Sequence, residues 1–202
     1  MRALIMAGGS GSRLQNSGEK PLTLICNRPM LEYVTDAFRA AGCEPVVVIS
    51  TRTPMTANWC RARGIAVIKT DGHGYVGDMV QAVQQLGEEG PVMVSVSDIP
   101  CITSRIIGIV IDAFRECGKH ALSTWVVGSH VRSCRGSMPY RKMVNGVEAC
   151  PAGINVLTGE YIEDEQDEYE LLLDEPLLAL NVNTPEDLVR TESVLQDALQ
   201  QN

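Results

Sequence analysis

Short, continuous apolar runs alternate along the chain with segments of helical period. Ala3-Leu4-Ile5-Met6, Val46-Val47-Val48-Ile49, Ala66-Val67-Ile68 and Val92-Met93-Val94-Ser95-Val96 read as strands buried on both faces. Between them, Met30, Val34, Ala37, Phe38 and Ala41 share one helical face, as do Val76, Met79, Val80, Val83 and Leu86, and then Ile106, Ile107, Val110, Ile111 and Phe114. Repeated strand-helix-strand units predict an α/β protein: a three-layer, doubly wound, mostly parallel sheet. Its ligands would bind outside the carboxyl ends of the strands.

After residue 118 the rhythm changes. Ala121 to Val127 has strand character, Asn145-Gly146 is a hairpin signal, and Gly153 to Leu157 and Leu178 to Val182 are further expected strands. Together they predict a small antiparallel addition at one sheet edge. Thr184 then suits an N-cap with Pro185 in the first helical position and Glu186 and Asp187 beside the positive helix end, opening a helix expected to reach about Leu199. Six of the eight residues from Glu163 to Glu170 are acidic, which reads as a solvated excursion rather than a metal site. With neither internal repeat nor linker, residues 1–202 are expected to form one domain.

A formal net charge of −8 disfavours nucleic-acid binding, which needs a broad basic face to displace counterions. The seven cysteines are odd in number and contain no C-x-x-C pair, so reduced thiols, several of them in the core, are expected. No apolar run is long enough to span a bilayer and no cleavage pattern follows the first residues, so the expected location is the cytoplasm. The sequence is compatible with a homodimer.

The chemistry-bearing residues follow the strands. Ala7-Gly8-Gly9-Ser10-Gly11-Ser12-Arg13 comes straight after the first strand, and its glycines let backbone amides converge on an anion without a clash from Cβ. It is not a G-x-x-x-x-G-K-[ST] loop, and Leu14 stands where a dinucleotide fingerprint wants glycine or alanine. Arg13 and Lys20, the latter within Glu19-Lys20-Pro21-Leu22, add two cations near the same strand end. Ser97-Asp98-Ile99-Pro100 leaves the strand ending at Val96. One carboxylate suffices for magnesium, which keeps water and substrate oxygens as ligands. Capping of the next helix is the competing role for Asp98, although Thr103 and Ser104 are better placed for it.

The stretch from Leu4 to Leu22 resembles the signature of nucleotidyltransferases that activate sugars, isoprenoid precursors and cofactors: A-G-G-x-G-x-R followed by a K-P or P-K pair. Ser97-Asp98-Ile99-Pro100 is similar to the D-x-P form of molybdenum-cofactor guanylyltransferases, and Asn181-Val182-Asn183-Thr184-Pro185-Glu186-Asp187-Leu188 to their late N-x-N-T-P-E-D-L segment. With Pro151-Ala152-Gly153-Ile154-Asn155-Val156 and Asp174-Glu175, the chain resembles the archaeal-type GTP:adenosylcobinamide-phosphate guanylyltransferases over nearly its whole length.

The resemblance implies a Rossmann-like nucleotidyltransferase fold and transfer of GMP from GTP to adenosylcobinamide phosphate, with Mg²⁺ as cofactor. It implies Arg13, Lys20 and Asp98 as catalytic residues, Asp98 and Asn183 at the metal, and Gly8, Gly9, Ser10, Gly11, Ser12 and Gly153 around the nucleotide. An asparagine turn for Asn183 and a strand bulge for Gly153 are the competing roles. Asp71, with Gly72 beside it and Ser50 and Thr51 as helpers, is a candidate reader of guanine, whose N1 and N2 donors suit an acceptor. Asn155, Arg132 and Arg135 are expected to meet the acceptor. Arg141 and Lys142 extend the same basic patch, for which a solvated loop is the other reading.

A molybdenum-cofactor or sugar-phosphate nucleotidyltransferase is the alternative enzyme. The usual aspartate before the loop lysine is replaced here by Glu19, and an H-P-L segment is absent from the sequence. A non-catalytic nucleotide-binding module is the alternative of another class. Such a module has no need to retain Arg13, Lys20 and Asp98, and this chain retains all three.

Overall fold

The computed structural model describes residues 1–9, 18–131 and 140–200, with side chains described through residue 197. Among the described residues, ten strands and five α-helices follow one another as β1 (Arg2–Met6), β2 (Leu24–Ile25), β3 (Arg28–Pro29), α1 (Met30–Ala40), β4 (Glu44–Ile49), α2 (Pro54–Ala62), β5 (Ala66–Lys69), α3 (Tyr75–Leu86), β6 (Pro91–Val96), α4 (Ser104–Cys117), β7 (Ala121–Val127), β8 (Lys142–Val144), β9 (Val147–Thr158), β10 (Glu168–Leu173) and α5 (Pro185–Gln200).

The main sheet has the order β10-β7-β9-β6-β1-β4-β5, with β8 paired to β9. β1 pairs in parallel with β4 and β6, and β4 in parallel with β5. The chain steps from β1 out to β5 on one side and then crosses to β6 on the other. Their carboxyl ends therefore meet at a switch point beside β1, where a crevice opens.

Strict alternation explains why both sheet faces are covered. Ala3, Ile5, Val47, Ile49 and Met93 pack against Leu31, Val34 and Phe38 of α1, Ala57 and Cys60 of α2, and Ile106, Ile107 and Val110 of α4. Leu4, Val46, Val48, Val92 and Val94 face the opposite layer, formed by Ala82 and Val83 of α3. Thr103 caps α4, its hydroxyl accepting the Ile106 amide at 3.3 Å, and Gly118 ends that helix in the left-handed region. Val76, placed by its period on the buried face of α3, is 65% exposed, because the first turn of that helix forms the rim of the crevice instead of touching the sheet.

Three further expectations need correction. The antiparallel strand is interior: β9 lies between β6 and β7, antiparallel to both, while β10 at the edge is parallel to β7. The acidic excursion ends at Asp167, and Glu168 to Glu170 begin β10, where Leu171 and Leu173 pack on the core and the carboxylates stay at the edge. Residues 178–182 make no ladder. Pro176–Ala179 is a 3-10 turn, and Leu178, Leu180 and Val182 alternate into the core without a strand partner. Instead the Val182 amide donates to the Asp98 carbonyl at 2.9 Å, so this segment crosses the end of β6. The Asn145-Gly146 hairpin turn, at φ 51° and 80°, joins β8 to β9 as expected.

Candidate active site

One buried serine ties three strand-end loops together. The Ala7 amide donates to Val48 O at 2.8 Å and brings Gly8 so close to β4 that an added Cβ would lie 3.3 Å from Ser50 Cβ and N. Ser50, 1% exposed, donates through Oγ to Gly8 O at 2.7 Å and accepts the Arg52 amide at 3.1 Å. Gly72, at φ 80°, passes against the same serine. Only glycine meets both requirements at positions 8 and 72 without strain: close approach at the first, a left-handed backbone at the second.

Beside this hub the chain brings together three residues far apart in sequence. Lys20 Nζ donates to Asp98 Oδ2 at 2.5 Å and to Asn183 Oδ1 at 2.7 Å. The Lys20 and Asp98 side chains are only 15% and 17% exposed, so the ion pair is weakly screened. Asn183 is held by a reciprocal cap on α5. Asp187 Oδ2 accepts the amides of Asn183 and Thr184 at 3.0 and 2.9 Å, and Thr184 Oγ1 accepts the Asp187 amide at 3.2 Å.

Lys20 is fixed from its other side by Glu19. That carboxylate accepts the amides of Met55 and Thr56 at 2.7 and 2.6 Å and the Thr56 hydroxyl at 2.6 Å. It thereby caps α2, whose own N-cap residue Thr53 spends its hydroxyl on the Ser50 amide. Glu19 thus anchors the lysine turn to the loop that follows β4.

A cavity of about 400 Å³ opens above these residues. Its lining includes Gly8 and Gly9 from the β1 end, Arg52 after β4, Gly72, Gly74, Tyr75 and Asp78 after β5, and Asp98 after β6, with Lys20 and Asn183. Asp78 accepts the amides of Gly72 and His73 at 2.9 and 3.1 Å and so sets the shape of the β5 loop. Tyr75 keeps 43% of its surface exposed, yet its hydroxyl is pushed up to about 12, first by burial of the phenolic end and then by the Asp98 charge. It remains a protonated phenol throughout the physiological range.

The geometry also suits a metal. Asp98 Oδ1 is buried and has no hydrogen-bond partner among the described residues, an arrangement that costs free energy unless a ligand fills it. A hard divalent cation fits that oxygen, with the Asn183 side-chain oxygen alongside. Among the described residues no three His, Cys, Asp or Glu side chains gather into a metal cage. A cation here would therefore complete its shell with substrate oxygens or water.

Of the residues expected at the site, Gly8, Gly9, Gly72, Lys20, Asp98 and Asn183 line the cavity, and Ser50 lies directly beneath it. Thr51 is exposed outside the lining. Asp71 is turned to α3, where its carboxylate accepts Gln81 Nε2 at 2.8 Å and its amide donates to Gln81 Oε1 at 2.9 Å, so it is not part of the lining either. Gly153 has φ 75° at the register irregularity of β9, and an added Cβ would sit 2.6 Å from Val96 Cγ2. It lies behind Val96, which does line the cavity.

Asn155 is in the ladder between Val94 and Ser123, away from the lining. Arg141 pairs with Glu148, while Lys142 pairs with Glu170 and lies 4.2 Å over the Trp125 ring. Ser10, Gly11, Ser12, Arg13, Arg132 and Arg135 fall outside the described residues. Sequence reasoning missed Glu19, Arg52, Tyr75 and Asp78 as parts of the site. The strand-end rule would have found Arg52, three residues past β4, whereas no local pattern reveals Glu19 as the cap of a helix 35 residues away.

Residues 3–180 match the model of the MobA-like NTP transferase domain family. An adenosylcobinamide-phosphate guanylyltransferase of Methanocaldococcus jannaschii is 32% identical over 203 residues, covering 97% of this chain and 98% of its own. A bifunctional protein GlmU of Clostridium tetani is 27% identical over 58% of this chain and only 27% of its own length. Among solved structures, a CMP:2-keto-3-deoxy-manno-octonic acid synthetase complexed with CTP superposes over 98% of both chains with a TM-score of 0.70 at 16% identity. A hypothetical transferase from Thermus thermophilus does so over 93% of this chain and 98% of its own, with a TM-score of 0.69 at 18% identity. These structural likenesses establish the Rossmann-like fold.

Proposed function

Because the chain belongs to the MobA-like NTP transferase domain family and is a nucleotidyltransferase, we propose that it moves GMP from GTP to adenosylcobinamide phosphate. The products are adenosylcobinamide-GDP and pyrophosphate, a step of cobalamin biosynthesis. The likeness to the Methanocaldococcus protein along nearly all of both chains supports this acceptor. The observation that carries the chemistry is the meeting of Lys20, Asp98 and Asn183 beside the Gly8-Gly9 loop.

In this reading an oxygen of the acceptor's phosphate attacks the α-phosphorus of GTP, and the bond from that phosphorus to the bridging β-phosphate oxygen breaks, releasing pyrophosphate. A phosphomonoester is already largely ionised at neutral pH, with a second pKa of about 6, so no strong base is required. Catalysis then rests on positioning and charge neutralisation. Lys20 spends two donors on Asp98 and Asn183 and holds a third for the α-phosphoryl oxygens. Gly8 and Gly9 bring backbone up to the phosphates, and Arg13 is assigned to the departing pyrophosphate.

Mg²⁺ would be held by Asp98 and Asn183 and would supply neutralisation of phosphate charge when bound. No described helix is long and apolar enough to cross a membrane, and we place the enzyme in the cytoplasm. The test is direct. Purified protein with Mg²⁺, GTP and adenosylcobinamide phosphate should release pyrophosphate in proportion to nucleotidylated corrinoid, measured by coupled phosphate assay and chromatography. Release that needs a different acceptor refutes the substrate assignment.

A further inference from the structure

If GTP is the donor, some group in the cavity must tell guanine from adenine. The carboxylate expected to do so, Asp71, is engaged by Gln81 outside the lining, and Asp78 is engaged by the amides of Gly72 and His73. A different side chain is free for the task. Arg52 lines the cavity from the loop after β4, is exposed, and its guanidinium makes no hydrogen bond or ion pair among the described residues. Its backbone is nonetheless fixed, because its amide donates to Ser50 Oγ, the hydroxyl that also holds Gly8. It is therefore a cation on an anchored stem, with all five donors available.

Strand order says which end of the nucleotide it meets. The transfer chemistry is gathered by Lys20, Asp98 and Asn183 at the ends of β6 and β1. β4 lies one strand beyond β1 and two beyond β6, and neighbouring strands are about 4.8 Å apart. A group after β4 thus stands roughly 10 Å from Asp98 across the sheet, about the span from an α-phosphate to the far edge of a purine. The lining continues beyond it to Gly72 and Gly74 after β5, whose lack of side chains leaves a slot for a flat ring.

We propose that Arg52 is the residue that selects guanine, by donating two hydrogen bonds to O6 and N7 of the base. Adenine answers the same fork with an amino donor at position 6, so one of the two bonds becomes a repulsion. The inference rests on the GTP assignment above and adds the edge of the base that is read: the O6/N7 edge rather than the N1/N2 edge that a carboxylate would have taken.

The experiment measures kcat/KM and Kd for GTP, ITP, 7-deaza-GTP and ATP with the wild-type protein and with Arg52→Met and Arg52→Lys. ITP keeps O6 and N7 and lacks only the 2-amino group; 7-deaza-GTP lacks N7. Wild-type protein is expected to accept ITP nearly as well as GTP and to disfavour 7-deaza-GTP and ATP. Arg52→Met is expected to lose roughly 10- to 100-fold for GTP and ITP and little for the other two, so that discrimination collapses. Arg52→Lys, with a single-point donor, should fall between.

Equal losses for all four nucleotides would overturn the inference, making Arg52 a phosphate contact, and no loss at all would make it a solvated side chain. A wild-type preference for GTP over ITP, lost on no Arg52 substitution, would place base reading at the N1/N2 edge. In each of these cases GTP turnover by the wild-type protein leaves the guanylyltransferase reading standing. A wild-type protein that prefers ATP overturns both together.

Discussion

The two halves of the sheet use the same kind of strand for different ends. In β5, β4, β1 and β6 every strand points the same way, so four carboxyl ends deliver loops to one crevice, and nearly every chemical group of the site comes from them. In β9, β7, β10 and β8 the directions are mixed, and the polar side chains pair with one another: Lys142 with Glu170, Arg141 with Glu148, His130 with Asp174. Convergence requires parallel strands; the mixed half contributes a wall. Val96 is where the two meet, one face lining the cavity and the other against Gly153 of β9.

The largest expected effect lies wholly in the parallel half. Asp98→Ala removes both the oxygen proposed for the metal and a partner of Lys20, and should lower kcat by roughly 10³-fold, read by pyrophosphate release. An activity loss below tenfold would show that convergence at the strand ends is not what makes the site. Next comes the boundary. Gly153→Ala forces a left-handed residue and pushes Val96, so a loss of about 1–3 kcal/mol in urea unfolding is expected, with a raised KM for GTP. Lower stability with an unchanged KM would mean that the wall is mechanically independent of the cavity.

A smaller effect is expected at Glu19. Glu19→Ala uncaps α2, costing about 0.5–2 kcal/mol, and loosens Lys20, so kcat should fall by roughly tenfold while KM for GTP hardly moves. Glu19→Gln, which retains one acceptor oxygen, should lie between. The smallest change is expected for Asp71→Asn, which keeps the Gln81 contact geometry and should leave kcat/KM for GTP within about twofold, a difference below 0.5 kcal/mol. A drop of tenfold or more would return base reading to that carboxylate.

The sequence exposed the parallel half because β1, β4 and β6 are buried on both faces and end at their chemistry, Met6 before Gly8 and Val96 before Asp98; β5, expected to be equally buried, is the sheet edge, and its Ala66 and Lys69 are exposed. Continuous apolar runs mark such strands without reference to their neighbours. The mixed half hid its topology for the same physical reason in reverse. Nothing in Gly153 to Leu157 says that it will insert between β6 and β7, because a strand's alternation fixes its faces and not its partners. Leu178, Leu180 and Val182 alternate like a strand yet find side chains instead of a ladder. Asn183 was visible in its motif; its contact with Lys20, 163 residues away in sequence, was not.

The crossing of residues 180–183 over the end of β6 also has a temporal meaning. As the chain emerges from the ribosome, the sheet from β1 to β10 has its sequence in hand by residue 173, while the Val182 amide and the Asn183 oxygen are still to come. A chain that stops short of residue 182 therefore keeps every strand of the sheet but lacks both the amide that donates to the Asp98 carbonyl and the oxygen that receives Lys20.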